Sequence, residues 1–168
     1  MDTIVNKIAA SGIITLDPAD FLPEEGIMVF DLKPFLFREL ILKEKDFRES
    51  LKNHDWEQYR NKMVTLTCTA DAIIPMWANM LVTAYLQPVA KEIVFGDNEE
   101  AIKQIAIKTI DQINTEKFRD QRIVLKGCGD KCVPPDVYIA LMKKLQPVVK
   151  SVMFGEPCST VPVYKQKK

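Results

Sequence analysis

KMVTLTCTADAIIPMWANMLVTAYLQPVAKEIVFGD, residues 62–97, lies in register with QRIVLKGCGDKCVPPDVYIALMKKLQPVVKSVMFGE, residues 121–156. No gap is needed. Leu66 meets Leu125, Asp71 meets Asp130, and Pro75 meets Pro134. The run from Leu86 to Val89 meets the run from Leu145 to Val148, and Phe95-Gly96 meets Phe154-Gly155. Identities held at one fixed offset, prolines and a glycine among them, mark an internal repeat.

Each copy reads as strand, loop, helix, strand. The opening strands, Met63 to Thr67 and Ile123 to Lys126, are short and rich in β-branched residues. Apolar residues then recur at helical spacing. They are Met76, Trp77, Met80, Leu81, Ala84 and Tyr85 in one copy, and Val137, Tyr138, Leu141, Met142 and Leu145 in the other. Pro88 and Pro147 stop the helices, and the closing strands are Glu92 to Phe95 and Ser151 to Phe154. Between the copies, DNEEAIKQIAIKTIDQIN has acids in its first turn and an isoleucine-rich side, the pattern of an amphipathic helix. Strands alternating with helices predict an α/β fold with a mostly parallel sheet: two duplicated βαβ units joined by a helix.

The first 61 residues are an N-terminal extension in this reading. A helix near Thr3 to Ala10 is followed by the extended segments GIITLD and GIMVFDL. LFRELILK reads as a further strand, EKDFRESLKNHDWEQYRNK as helical, and LDPADFLPEEG as a surface loop. The expectation is one domain over residues 1–168, with the extension adding strands and a helix to the sheet's edge.

Lys plus Arg and Asp plus Glu number 23 each, so no general attraction to nucleic acid or an anionic membrane is expected. The N-terminus has no basic-then-apolar run ending in a cleavage site. The most apolar stretch, AIIPMWANMLVTAYL, is too short to span a bilayer. A cytoplasmic protein with reduced thiols is expected, which makes its four cysteines structural, metal-binding or catalytic rather than a disulfide framework.

Cys68 follows the first strand of one copy, and Cys128 and Cys132 follow that of the other. Cys158 follows the closing strand, so the repeat places all four beyond strand carboxyl ends. Sites in parallel sheets form there. Zinc takes Cys at such spacings, and iron–sulfur clusters also use cysteinate. A free cysteine also serves as a small buried hydrophobe. Asp71 and Asp130, paired by the repeat, are candidates for an acid–base pair or for carboxylate ligands, and equally for turn-capping. His54, the lone histidine, reads as a surface or capping residue, with Asn53 or Asp55 as helix caps. No phosphate-loop motif accompanies the glycines around Cys128.

SGIITLDPADF, VFDLKPFLFRELILKEKDFR, KNHDWEQYRNK, TCTADAIIPMWA, LQPVAKEIVFGD and FGEPCSTVPVYK together carry a resemblance. Over nearly its whole length the chain resembles a family of bacterial proteins known only as a domain of unknown function. Genes of the sulfur-mobilisation route of iron–sulfur cluster assembly often lie beside those of its members. The resemblance implies an accessory role with iron–sulfur assembly proteins as partners. It supports Cys68, Cys128 and Cys158 and departs at Cys132, where the family's loop carries other residues.

Two expectations follow. One is an accessory protein handling metal or sulfur through Cys68, Cys128 and Cys158, with Cys132 the weaker member and zinc or an iron–sulfur cluster as cofactor. The other is a non-catalytic protein-interaction module whose cysteines are packing residues. Neither involves nucleic acid or a membrane, and a homo-oligomer suits both.

Overall fold

Strands formed where the repeat places them, but they do not build one sheet. The computed structural model describes residues 12–127, 129, 131–156 and 159–167. The elements are β1 (Ile13–Leu16), β2 (Met28–Asp31), α1 (Glu44–Lys52), β3 (Met63–Thr67), α2 (Met76–Leu86), β4 (Glu92–Phe95) and α3 (Asn98–Asp111), then β5 (Arg122–Leu125), α4 (Pro135–Leu145), β6 (Ser151–Glu156) and β7 (Ser159–Lys165). The helix expected near Thr3 to Ala10 lies outside the described residues.

The result is a mixed α/β structure with two sheets, ordered β2-β3-β4 and β1-β5-β6-β7. All pairings are parallel except that of β6 with β7. The single sheet expected from the alternation is thereby corrected. A βαβ crossover sets its own two strands side by side, so β3 pairs with β4 and β5 with β6. The third parallel strand of each sheet comes from the N-terminal segment. β2 lies on β3 with Met28 opposite Val64, and β1 lies on β5 with Ile14 opposite Ile123. The N-terminal strands therefore serve two sheets and not one edge.

The chain divides into two compact units. Pro23–Gln104 forms one, and Ile105–Lys168 with the N-terminal segment up to Leu22 forms the other. The core of the first contains Phe47, Leu51, Tyr59, Val64, Leu66, Ala78, Val82 and Leu86. The core of the second contains Ala106, Ile110, Phe118, Ile123, Leu125, Val137, Leu141 and Leu145, each 59 positions later in the same order. In α2 and α4 the buried residues lie at i, i+4 and i+8, one stripe of an α-helix facing the core.

Short polar contacts repeat with this pattern. The Asp55 and Asn114 side chains accept from the backbone N–H of Glu57 and Glu116, starting 3-10 turns that bury Tyr59 and Phe118. Asn61 and Asp120 follow, each in the left-handed region at φ 58°. Their N–H groups donate to the carbonyls of Val89 and Val148 at 2.9 Å, tying the strand's entry to the chain beyond the helix.

Three further readings are corrected. The segment read as a strand, LFRELILK, instead makes a tight turn closed by a bridge between Phe37 and Ile41, with Arg38 and Glu39 at φ 50° and 58°. LDPADFLPEEG is not wholly loop: Pro18–Phe21 is a 3-10 turn capped by the Asp17 carboxylate. The closing strand of the second copy runs past Gly155 to Glu156, and a further strand not expected from the sequence, β7, follows it.

Gly155 and Gly96 are required by both conformation and space. Gly155 has φ 121°, and a Cβ there would stand 2.5 Å from the Ser159 carbonyl oxygen. Gly96 has φ 132°, and its Cβ would stand 2.8 Å from Cγ of Glu100, a side chain that can move. Both Gly→Ala changes are expected to destabilise by about 1–3 kcal/mol from the backbone alone. Chemical denaturation should show the larger loss for Gly155→Ala, because its obstacle is backbone.

Candidate functional site

Asp31 ends β2 and fastens the loop that carries Cys68. Its Oδ1 accepts from the backbone N–H groups of Lys33 at 2.9 Å and Thr69 at 3.0 Å, and its Oδ2 accepts from the Thr69 hydroxyl. Burial raises the carboxyl's pKa, but the hydrogen bonds from Thr69 and Lys33, with the Lys33 charge, outweigh it. They hold the group below the ordinary value of 3.8. Asp17 serves the other unit similarly. It accepts from Ala19 N–H at 2.9 Å, and its Oδ2 lies 3.3 Å from the Lys126 ammonium just past β5.

Cys68, held in the Asp31-fastened loop, is half-buried and packs against the core of its unit. Its Sγ donates weakly to the Ala70 carbonyl at 3.7 Å. Cys132 is exposed, in the loop before α4. Cys128, Asp130 and Cys158 lie outside the described residues. β3 and β5, the strands that precede Cys68 and Cys128 in the sequence, belong to different sheets. The grouping of all four cysteines at the edge of one sheet therefore does not stand. Among the described residues, no group of three or more His, Cys, Asp or Glu side chains could hold a metal. Asp71, the candidate acid or base, is exposed on the loop between β3 and α2.

His54 is neither a cap nor a free surface residue. Asp55 does the capping, and the imidazole sits among Phe30, Phe35, Trp56 and Tyr59, with ring centroids 4.8 to 6.0 Å away. Nε2 is 3.2 Å from the Tyr59 hydroxyl. Burial depresses the histidine pKa below 6.5, against a smaller opposing pull from Asp55. Burial, with the Asp55 charge second, raises the Tyr59 phenol above 10.0. The cluster is an aromatic group with the His54 ring part-buried against it.

One feature of α2 escaped the sequence reading, which grouped Met76 and Met80 with Trp77, Leu81, Ala84 and Tyr85 as one apolar helical pattern. Met76 and Met80 are largely exposed, at 76% and 70%, and Ile73 in the approach to the helix is 93% exposed. Ala84 continues this outward face. Ala78, Val82 and Leu86 form the buried stripe on the other side. The eleven residues MWANMLVTAYL contain no charge, whereas α4, PDVYIALMKKL, presents Asp136 and Lys143 outward beside Ile139. The buried stripes of the two helices lie 59 positions apart in the chain. Solvent is thus a sufficient cover for one and a poor cover for the other. The missing charge was the signal available in the sequence.

Because the folded state prefers neutral His54, its stabilising contribution is complete above the unfolded pKa near 6.5 and is lost as pH falls through the lower folded value. Thermal melts should therefore show stability falling as the pH drops below about 6.5, and that loss should shrink in His54→Gln. An unchanged pH dependence in the variant would refute this account of the imidazole.

Among the described residues, no helix is long and apolar enough to cross a membrane. No curated protein and no solved structure matches the chain. A family model described as a protein of unknown function (DUF2480) matches residues 2–166, so the chain belongs to that family over nearly its whole length.

Proposed function

We propose that this chain is a cytoplasmic, non-catalytic protein-interaction module built from a duplicated unit, in which Cys68 packs rather than reacts. The observation that carries the reading is the contrast between α2 and α4. Equivalent helices differ in that α2 leaves Met76 and Met80 exposed on a helix without charge. A contiguous exposed apolar surface marks an interaction site in soluble proteins, and methionines suit such surfaces because their side chains adapt to a partner. The eight core pairs at a constant offset of 59 support the duplication. Cys68, half-buried against the core, supports the packing role. Nothing in the charge balance draws the module to nucleic acid or a membrane surface.

A second reading, handling of metal or sulfur in iron–sulfur cluster assembly, is favoured by one observation. β5 and β6 are hydrogen-bonded neighbours, with Leu125 opposite Phe154. By chain position Cys128 and Cys132 follow one of these strands and Cys158 the other. In this reading those three thiols, and not Cys68, form the set for zinc or a cluster.

Thiol labelling of the native protein, with metal analysis after anaerobic purification, separates the two. The interaction reading expects no bound metal and fast labelling at Cys132. Cys68 should label slowly until the protein unfolds. Stoichiometric metal or an iron–sulfur absorption spectrum, lost in Cys128→Ser and Cys158→Ser, would replace it with the second.

A further inference from the structure

We propose that the outward face of α2 is a homodimer interface, packed against α2 of a second copy of this chain. The inference rests on the interaction reading and names its partner. Around a twofold axis each residue meets its own counterpart or a near neighbour, so any charge at the centre faces a like charge. A self-pairing helix therefore needs a centre without unbalanced charge, and α2 has none in its eleven residues. The equivalent face of α4 carries Asp136 and Lys143 and so lacks the uncharged stretch that α2 offers.

Met76, Met80 and Ala84 lie at successive four-residue steps, a single stripe along the helix. Ala84 is small and lets the helices approach at one end, while the two methionines fill irregular space at the other. Met76 and Met80 at 76% and 70% exposure, with Ile73 at 93% in the approach, offer an apolar area on the order of a few hundred Å². A standard interface buries about 800 Å² per partner, so this stripe forms the dry centre and the residues around it the rim. The absence of Lys and Arg from the helix argues against an anionic lipid surface as the occupant, since such surfaces are held by basic residues beside the apolar face.

Sedimentation of the full chain over the micromolar range tests this. The wild type should be a dimer whose dissociation constant rises more than about 30-fold in Met80→Lys, the loss typical of a central interface residue. Ile139→Lys, at the equivalent position on α4, should leave the dimer intact. Unchanged circular dichroism in both variants shows that the fold survives, as expected for exposed positions. A wild type that stays monomeric overturns the inference and leaves a different protein as occupant of the face. A dimer that survives Met80→Lys, or that Ile139→Lys dissociates, overturns it by placing the contact elsewhere. Slow labelling of Cys68 and absence of metal are measured on the monomer as well, so failure of the dimer is distinguishable from failure of the interaction reading.

Discussion

Two short parallel strand pairs, β1 on β5 and β2 on β3, hold the architecture together. A parallel pair cannot be closed by a tight turn and needs a long connection. In each unit the chain delivers a four-residue strand to a partner far along the sequence. The greater distance is that between Asp17 and Lys126, which lie 109 residues apart and still form an ion pair. The two aspartates, Asp17 and Asp31, sit at the exits of these strands, where each accepts from a backbone N–H two residues on and reaches the chain beyond the neighbouring strand. Strand exit, turn and loop are fixed together there. The helices then need only cover the sheets, and they do so with stripes of aliphatic residues at helical spacing.

Much of this was legible in the sequence, and the failures have physical reasons. Four strands and the helices α2, α3 and α4 follow from period and punctuation, because repeat, proline and glycine all agree at their ends. Projecting Val137, Leu141 and Leu145 across the repeat would have named Ala78, Val82 and Leu86 as the buried stripe of α2. Periodicity within α2 alone fails, since a helix apolar on all sides has no preferred face to read. Pairing of strands into two sheets is decided by β1 and β2. The signal for them was GIITLDPADF beside GIMVFDLKPF, which share Gly, Ile, Asp and Phe at a constant offset. β7 was obscured by Pro162, which an edge strand tolerates and a central one does not.

The cysteines show how a local reading depends on the sheet drawn around it. Each was placed beyond a strand end, and for Cys68 and Cys132 the description fits. Their assembly into one cluster rested on a single sheet, and two sheets remove that premise. Cys68 is explained by its packing and by a loop that Asp31 and Thr69 hold in place. Its neighbour Asp71 points chemistry nowhere in particular, being exposed on the same loop. By contrast, the apolar stripe of α2 carries no reactive group, and a search for chemistry would pass over it.

The nesting of one unit within the other has a consequence for synthesis. Ile13 to Leu16 are made first, yet their partner strand emerges only some 109 residues later. At translation rates of 5–20 residues per second this is a wait of roughly 5–20 s. Residues 23–104 meanwhile hold all three strands of their own sheet and can fold during the wait. The opening strand, with its isoleucines and its unfilled backbone hydrogen bonds, stays without its partner strand until β5 leaves the ribosome. The strand Ile13–Leu16 is thus made well before the sheet that receives it, which is completed only as β5, β6 and β7 follow.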